Sequence, residues 1–294
     1  STAFANFTPV EWNGSDALTA GDTVVVLDTG GTISQSSKAD FYGIQGTNSN
    51  PVTIKAEDGH SPYVDFTGAS KGFSLEATAY ITIEGLELSD SNEHCIWNYG
   101  ANNNTFRDLS IHDWGYWGYG GGLSFEGGGS GHYVVGCEAY HAQGGGNSDG
   151  FSLDGGASAI FEDCDAYYNG DDGFDTWDGG VCTFRNCRAW HNGHATDGTA
   201  VGNGNGFKLG GDTAVGDGGH RLERCMAWAN SGDSGRGFDM NVADNPNTFY
   251  NCVAWDNDVG FRFLSTGVAH VVRNTIAYQN GSTYDTLSGI DDAF

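Results

Sequence analysis

Apolar and polar positions alternate in short runs along most of this chain. Cys137-Glu138-Ala139-Tyr140, Cys164-Asp165-Ala166-Tyr167, Cys187-Arg188-Ala189-Trp190, Cys225-Met226-Ala227-Trp228 and Cys252-Val253-Ala254-Trp255 align without gaps. A sixth segment, Thr275-Ile276-Ala277-Tyr278, replaces the cysteine with threonine. The period is two, which predicts β-strands; the spacing of three and four that marks a helical solenoid is missing. Upstream, residues 20–26 and 50–56 read as strands. Residues 80–86 and 105–111 read as early copies of the same unit, with Leu86 and Leu109 at the cysteine position.

A second motif follows each of the first: Asp149-Gly150-Phe151, Asp172-Gly173-Phe174, Asn205-Gly206-Phe207, Arg236-Gly237-Phe238 and Val259-Gly260-Phe261. Successive cysteines lie 27, 23, 38 and 27 residues apart, and Thr275 follows Cys252 by 23. The variation falls between the motifs and never within them. Parallel strands need a long crossover, and a coil of two or three short strands supplies it without helices. The chain is therefore expected to be all-β, a parallel β-helix solenoid forming a single domain over residues 1–294. Residues 1–75 are assigned to the N-terminal cap and first coils, and 76–285 to regular coils. Equivalent residues then stack about 4.8 Å apart. Cysteine and alanine fill the interior, and the phenylalanines form a large apolar column. Asn169, Asn192, Asn230, Asn257 and Asn280 form a turn ladder, where amides bond along the stack and tolerance of the left-handed conformation helps. The Cys137 unit departs from this with Ala142. The aromatic column from Tyr140 to Tyr278 either packs beneath loops or offers a sugar platform; packing is favoured.

Composition narrows the classes of function. Glycine supplies 48 of 294 residues, more than double the usual share of about 7%, and marks turns. No apolar run reaches the roughly 18 residues of a membrane span. With 38 acidic residues against 12 basic ones, the net charge is -26. A nucleic-acid partner needs a basic footprint, and this chain has none. Seven cysteines are an odd count, so a complete disulfide framework is excluded, and their strand positions suit core packing.

The second motif also carries the outliers. Asp149, Asp172 and Asp175 fall on neighbouring coils, with Asp171 in the same loop. Four carboxylates so close repel strongly unless a cation joins them, and an oxygen-only set favours calcium over zinc. Lys208 lies one coil beyond Asp175; the other lysines, Lys38, Lys55 and Lys71, are far upstream. It reads either as a counter-ion or as a proton-abstracting base. Arg236 and Arg262 follow on later coils, where they either grip a substrate carboxylate or pair with Asp239. The 38-residue step carries two glycine-rich stretches, 194–202 and 211–219, that border Lys208 as cleft walls or plain surface insertions. His191 and His194 have only loose metal spacing.

The run Asn169-Gly170-Asp171-Asp172-Gly173-Phe174-Asp175-Thr176-Trp177, followed by Asn203-Gly204-Asn205-Gly206-Phe207-Lys208-Leu209-Gly210-Gly211, resembles polysaccharide lyase family nine over about residues 130 to 285. The resemblance implies a right-handed parallel β-helix. It implies calcium held by Asp149, Asp171, Asp172 and Asp175, and Lys208 as Brønsted base. The implied activity is β-elimination on an acidic polysaccharide, pectate or polygalacturonate first, by a secreted and monomeric enzyme. Residues 1–4 show no basic-then-apolar leader, which fits either a cytosolic protein or a removed signal; the implied activity favours removal. A rhamnogalacturonan, alginate or other uronan lyase remains an alternative on the same fold. So does a non-catalytic, calcium-stapled adhesin module.

Overall fold

A computed structural model describes residues 17–28, 30–211, 217–263, 268–284 and 290–291. The first sixteen residues of the expected cap lie outside these, as do residues 212–216 of the second glycine-rich stretch. Three parallel sheets of eleven, ten and ten strands run the length of the described chain. Each coil contributes one strand to each sheet. In one coil these are Ala159–Glu162, Asp165–Tyr167 and Phe174–Asp175; in the next they are Thr183–Arg185, Arg188–Trp190 and Phe207–Lys208. The pattern is already present at Thr23–Val26, which pairs in register with Val52–Ala56. No change of architecture marks residue 76.

The cysteine–alanine ladder is buried as expected, and Leu86 and Leu109 continue it. All seven cysteines are unpaired and buried. Phe151, Phe174, Phe207, Phe238 and Phe261 stack face to face, with centroids 4.7 to 5.0 Å apart. A second aromatic column, which the motifs did not announce, comes from the first sheet. Phe161 and Phe184 meet the first column edge-on, at 5.7 Å to Phe174 and Phe207 respectively. Edge-to-face contact between two stacked columns fills the interior with favourable ring geometry.

The asparagine ladder is continuous. Each amide Nδ2 donates to the Oδ1 one coil on, at 2.9 to 3.0 Å from Asn169 through Asn280. Its conformation differs from expectation. None of these asparagines is left-handed; the residue before each one is, at Tyr168, His191, Ala229, Asp256 and Gln279. The ladder needs the asparagine backbone extended so that its N–H reaches the next side chain, so the tight bend moves one residue back. Left-handed asparagine serves instead at the corner between the first and second sheets, at Asn186, Asn251 and Asn274.

A further polar column occupies the start of the first-sheet strands. Backbone N–H groups of Ile81, Asn104, Cys182, His220 and Asn247 donate to side chains of Asn104, His132, His220, Asn247 and His270, at 2.8 to 3.3 Å. Imidazole Nδ1 here does the work of an asparagine oxygen. The outer aromatic column also resolves. Tyr140, Tyr167, Trp190, Trp228 and Trp255 stack at 4.3 to 4.8 Å with planes within 6°. Facing rings cover one another, so the column packs along the outside of the second sheet, while Tyr278 at the end of the expected column is 59% exposed.

Candidate active site

The site forms on the outer face of the third sheet, where two adjacent columns change from structural to charged residues. The first column runs from Gly121 through Asp149 to Asp172 and Asn205. The second runs Ser124, Ser152, Asp175, Lys208, Asp239, Arg262. Glycine between the columns is required by close approach: a Cβ on Gly173 would lie 2.7 Å from Gly206 O and 2.9 Å from the Asn192 amide.

In the first column, carboxylates replace the ladder amides. Asp149 Oδ1 accepts the Asp172 N–H at 3.0 Å, and Asp172 Oδ1 accepts the Asn205 N–H at 2.8 Å. In the second column, Asp175 Oδ1 accepts the Trp177 N–H at 2.8 Å. One oxygen of each aspartate is thus committed to the fold. Lys208 Nζ lies 2.9 Å from Asp175 Oδ2 and 3.1 Å from Asp172 Oδ2, and 5.0 Å from the centre of the Trp177 ring.

Asp149, Asp172 and Asp175 each offer a ligand oxygen within 4.8 Å of the others, and all three are buried. Asp171 stands beside this group. It lines the same cleft, but its Oδ1 accepts the Asn203 N–H at 2.6 Å. That amide belongs to the excursion that follows His194. Gly202, at the end of the stretch 194–202, approaches this carboxylate so closely that a Cβ there would lie 2.5 Å from Asp171 Oδ1, but of this excursion it is Asn203 just beyond the stretch that lines the cleft. Arg262 forms a two-pronged pair with Asp239, 2.7 Å on each arm. Arg236 Nη1 lies 3.6 Å from the same carboxylate. Neither arginine is among the residues that line the cleft.

Burial raises the Asp149 carboxyl well above its usual range, and the charges of Asp175, Asp171 and Asp172 raise it further. Asp171 is pushed up to about 8, by burial first and then by Asp172. Asp175 is pushed up to about 6, by burial offset by the Lys208 charge. Burial works against the Lys208 ammonium, yet the Asp172, Asp175 and Asp149 carboxylates outweigh it and hold the proton. Buried Asp172 Oδ2 receives no hydrogen bond of good geometry. Three converging carboxylates, one of them with an oxygen no donor reaches well, suit a hard divalent cation, so the donor set fits calcium.

Trp177, Glu93, His94, Tyr119 and Glu126 also line the cleft, which holds about 420 Å³. The motif reading gave them no role. The signal was present: Gly122-Leu123-Ser124-Phe125-Glu126 repeats the pattern of Gly150-Phe151-Ser152-Leu153-Asp154, and their strands pair in register.

A parallel β-helix with an acidic, lysine-bearing cleft on one sheet is thereby defined. The family described as "Pel9A-like, right handed beta helix region" matches residues 8–290, and the chain belongs to it. Pectate lyase L of Dickeya chrysanthemi is 30% identical over 261 residues, 82% of this chain and 59% of the relative. The chain thus spans about three fifths of the length of that relative. The crystal structure of pectate lyase Pel9A superposes with a TM-score of 0.79 at 26% identity, covering 94% of this chain and 71% of that one. A rhamnogalacturonan lyase shares the fold, with a TM-score of 0.73 at 22% identity over 94% of this chain and 77% of that one.

Proposed function

We propose that the protein is a calcium-dependent polysaccharide lyase that cleaves pectate by β-elimination, with Lys208 as the base. The observation that carries this reading is the placement of Lys208 Nζ at 2.9 and 3.1 Å from two members of a buried three-carboxylate group. Asp149, Asp172 and Asp175 would hold the cation, with Asp171 alongside. Bound calcium supplies positive charge that receives a uronate carboxylate and acidifies the adjacent C5–H. Once those carboxylates are engaged, their hold on the Lys208 proton weakens, and neutral Nζ accepts the C5 proton. The electron pair left on C5 forms the C4–C5 double bond as the C4–O4 bond breaks. The leaving oxygen is protonated from solvent. The Trp177 ring and the Asn203 wall restrict water at Nζ. A polymer of this size is degraded outside the cell, so the proposal includes secretion.

Support comes from the family membership and from relatives named as pectate lyases. The test is ultraviolet absorbance of unsaturated ends from polygalacturonate with calcium present. Lys208→Ala is expected to lower turnover by about a thousandfold or more while calcium titration still shows binding. Retained turnover would move the base elsewhere, and no product from any uronan would sink the lyase reading.

A further inference from the structure

The excursion in the Lys208 coil folds back over its neighbours. Residues 194–200 close a small hairpin. His194 and Ala200 pair in antiparallel fashion, the Ala195 N–H donates to Thr199 O at 2.8 Å, and the Val201 N–H donates to Gly193 O at 3.1 Å. The hairpin reaches the coil that supplies Asp149, two coils back. There Thr196 Oγ1 donates to Gln143 Oε1 at 3.3 Å, and the Gln143 amide donates in turn to Asp113. A Cβ on Gly146 would collide with Val201 O, and one on Gly202 would lie 2.5 Å from Gly170 O. The other side is wedged as well. A Cβ on Gly193 or Gly204 would collide with Ser231 O, and the Asp233 N–H donates to Gly202 O at 3.0 Å. The hairpin is thus a strap across the three coils that bring Asp149, then Asp171, Asp172 and Asp175, and then Lys208.

The strap ends on Asp171. Asp149 and Asp172 take their backbone N–H from the next coil of their own column. Asp171 takes its N–H from Asn203, at 2.6 Å, just past the strap. That bond fixes Oδ1 and leaves the other oxygen for a cation. A carboxylate oriented before the metal arrives loses less freedom on binding, which is how hydrogen-bond partners behind metal ligands raise affinity.

Gly146 is where the strap meets the Asp149 coil most tightly. Its backbone is not left-handed and it is exposed, so neither conformation nor core packing asks for glycine. The three nearest atoms that a Cβ would meet, Val201 O, Val201 C and Gly202 Cα, all belong to the strap.

We propose that Gly146 is a positioning residue for Asp171: it seats the strap low enough for the Asn203 N–H to hold that carboxylate. The proposal rests on the reading of the aspartates as a calcium site and adds to it a residue outside the ligand set.

The test compares Gly146→Ala with Gly145→Ala, which adds the same methyl group to the same loop. A Cβ on Gly145 meets nothing closer than Gly118 O at 3.7 Å, and its backbone is not left-handed either. Hydrogen exchange of the segment holding Asn203, with chelator present, reads the bond to Asp171. Calorimetric titration reads the calcium dissociation constant. Gly146→Ala is expected to speed that exchange and to weaken calcium binding by about tenfold or more, while its melting temperature in chelator stays close to that of Gly145→Ala. A chain lacking residues 195–199 should show both changes, and Gly146→Ala should add little to it, because the two act through one contact. Unchanged exchange in Gly146→Ala, or equal changes in Gly145→Ala, overturn the proposal. So does faster exchange with calcium affinity unmoved, which would leave the strap a merely structural part. If the wild type takes up no calcium, the calcium reading fails separately. Exchange at Asn203 then decides alone: faster in Gly146→Ala and unchanged in Gly145→Ala upholds the positioning of Asp171, and any other result overturns it.

Discussion

His132, His220 and His270 each use an unprotonated Nδ1 to accept a backbone N–H from another coil. Burial pushes all three down to about 4, against about 6.5 in an unfolded chain. The unfolded chain therefore takes up protons first as pH falls. Stability from these imidazoles is complete above about pH 6.5 and is lost as pH falls towards about 4. His220→Asn keeps an acceptor in place but cannot titrate. It is expected to move the acid-unfolding midpoint, followed by circular dichroism, to lower pH. An unmoved midpoint would remove His220 from the acid response. These histidines were invisible as a ladder in the sequence because asparagine and histidine share the column and Ala159 and Cys182 interrupt it. Only the shared geometry, an acceptor atom aimed at a backbone N–H, makes them equivalent.

A ladder gains its strength from continuity. Asn192 Oδ1 accepts from both the backbone N–H and the amide of Asn169, and its own amide reaches Ala166 O and Asn230 Oδ1. Asn192→Ala strands buried donors on one neighbour and acceptors on the other. At about 1–3 kcal/mol for each unsatisfied group, the loss should be about 3 kcal/mol or more. The denaturant midpoint with calcium present measures it, and a shift below about 1 kcal/mol would mean that water replaces the amide. At this scale the sequence was largely legible. Gap-free alignment of the cysteine and Asp-Gly-Phe motifs set the strand register, because neighbouring coils pair residue for residue. The loops were less legible. Asn203, whose amide holds Asp171 aside from the other carboxylates, lies in an excursion with no counterpart in other coils, so no column predicted its position. For the arginines the columns left two readings open, and Arg262 takes the second of them: Asp239, one coil before it, accepts its fork.

The whole molecule carries a net charge of -26 and gathers part of it into one buried cluster. Asp171 at about 8 and Asp175 at about 6 are raised above unfolded carboxylates. The folded state therefore holds extra protons as pH rises, and stability from this cluster is lost between about pH 4 and 8. With a chelator, the melting temperature should fall as pH rises from 5 to 8, and excess calcium should remove most of that slope. A slope that calcium leaves unchanged would argue against binding at these carboxylates. The cluster has a geometric consequence as well. Asp149 comes from one coil, Asp172 and Asp175 from the next, and Lys208 from the one after. Parallel pairing admits only whole coils, so the solenoid acts as a ruler whose smallest division is one coil, about 4.8 Å. A coil added beyond Arg262 would lengthen the rod and leave the chemistry alone. The same coil added between Asp149 and Asp172 would fold equally well, keep every ladder, and split the site in two.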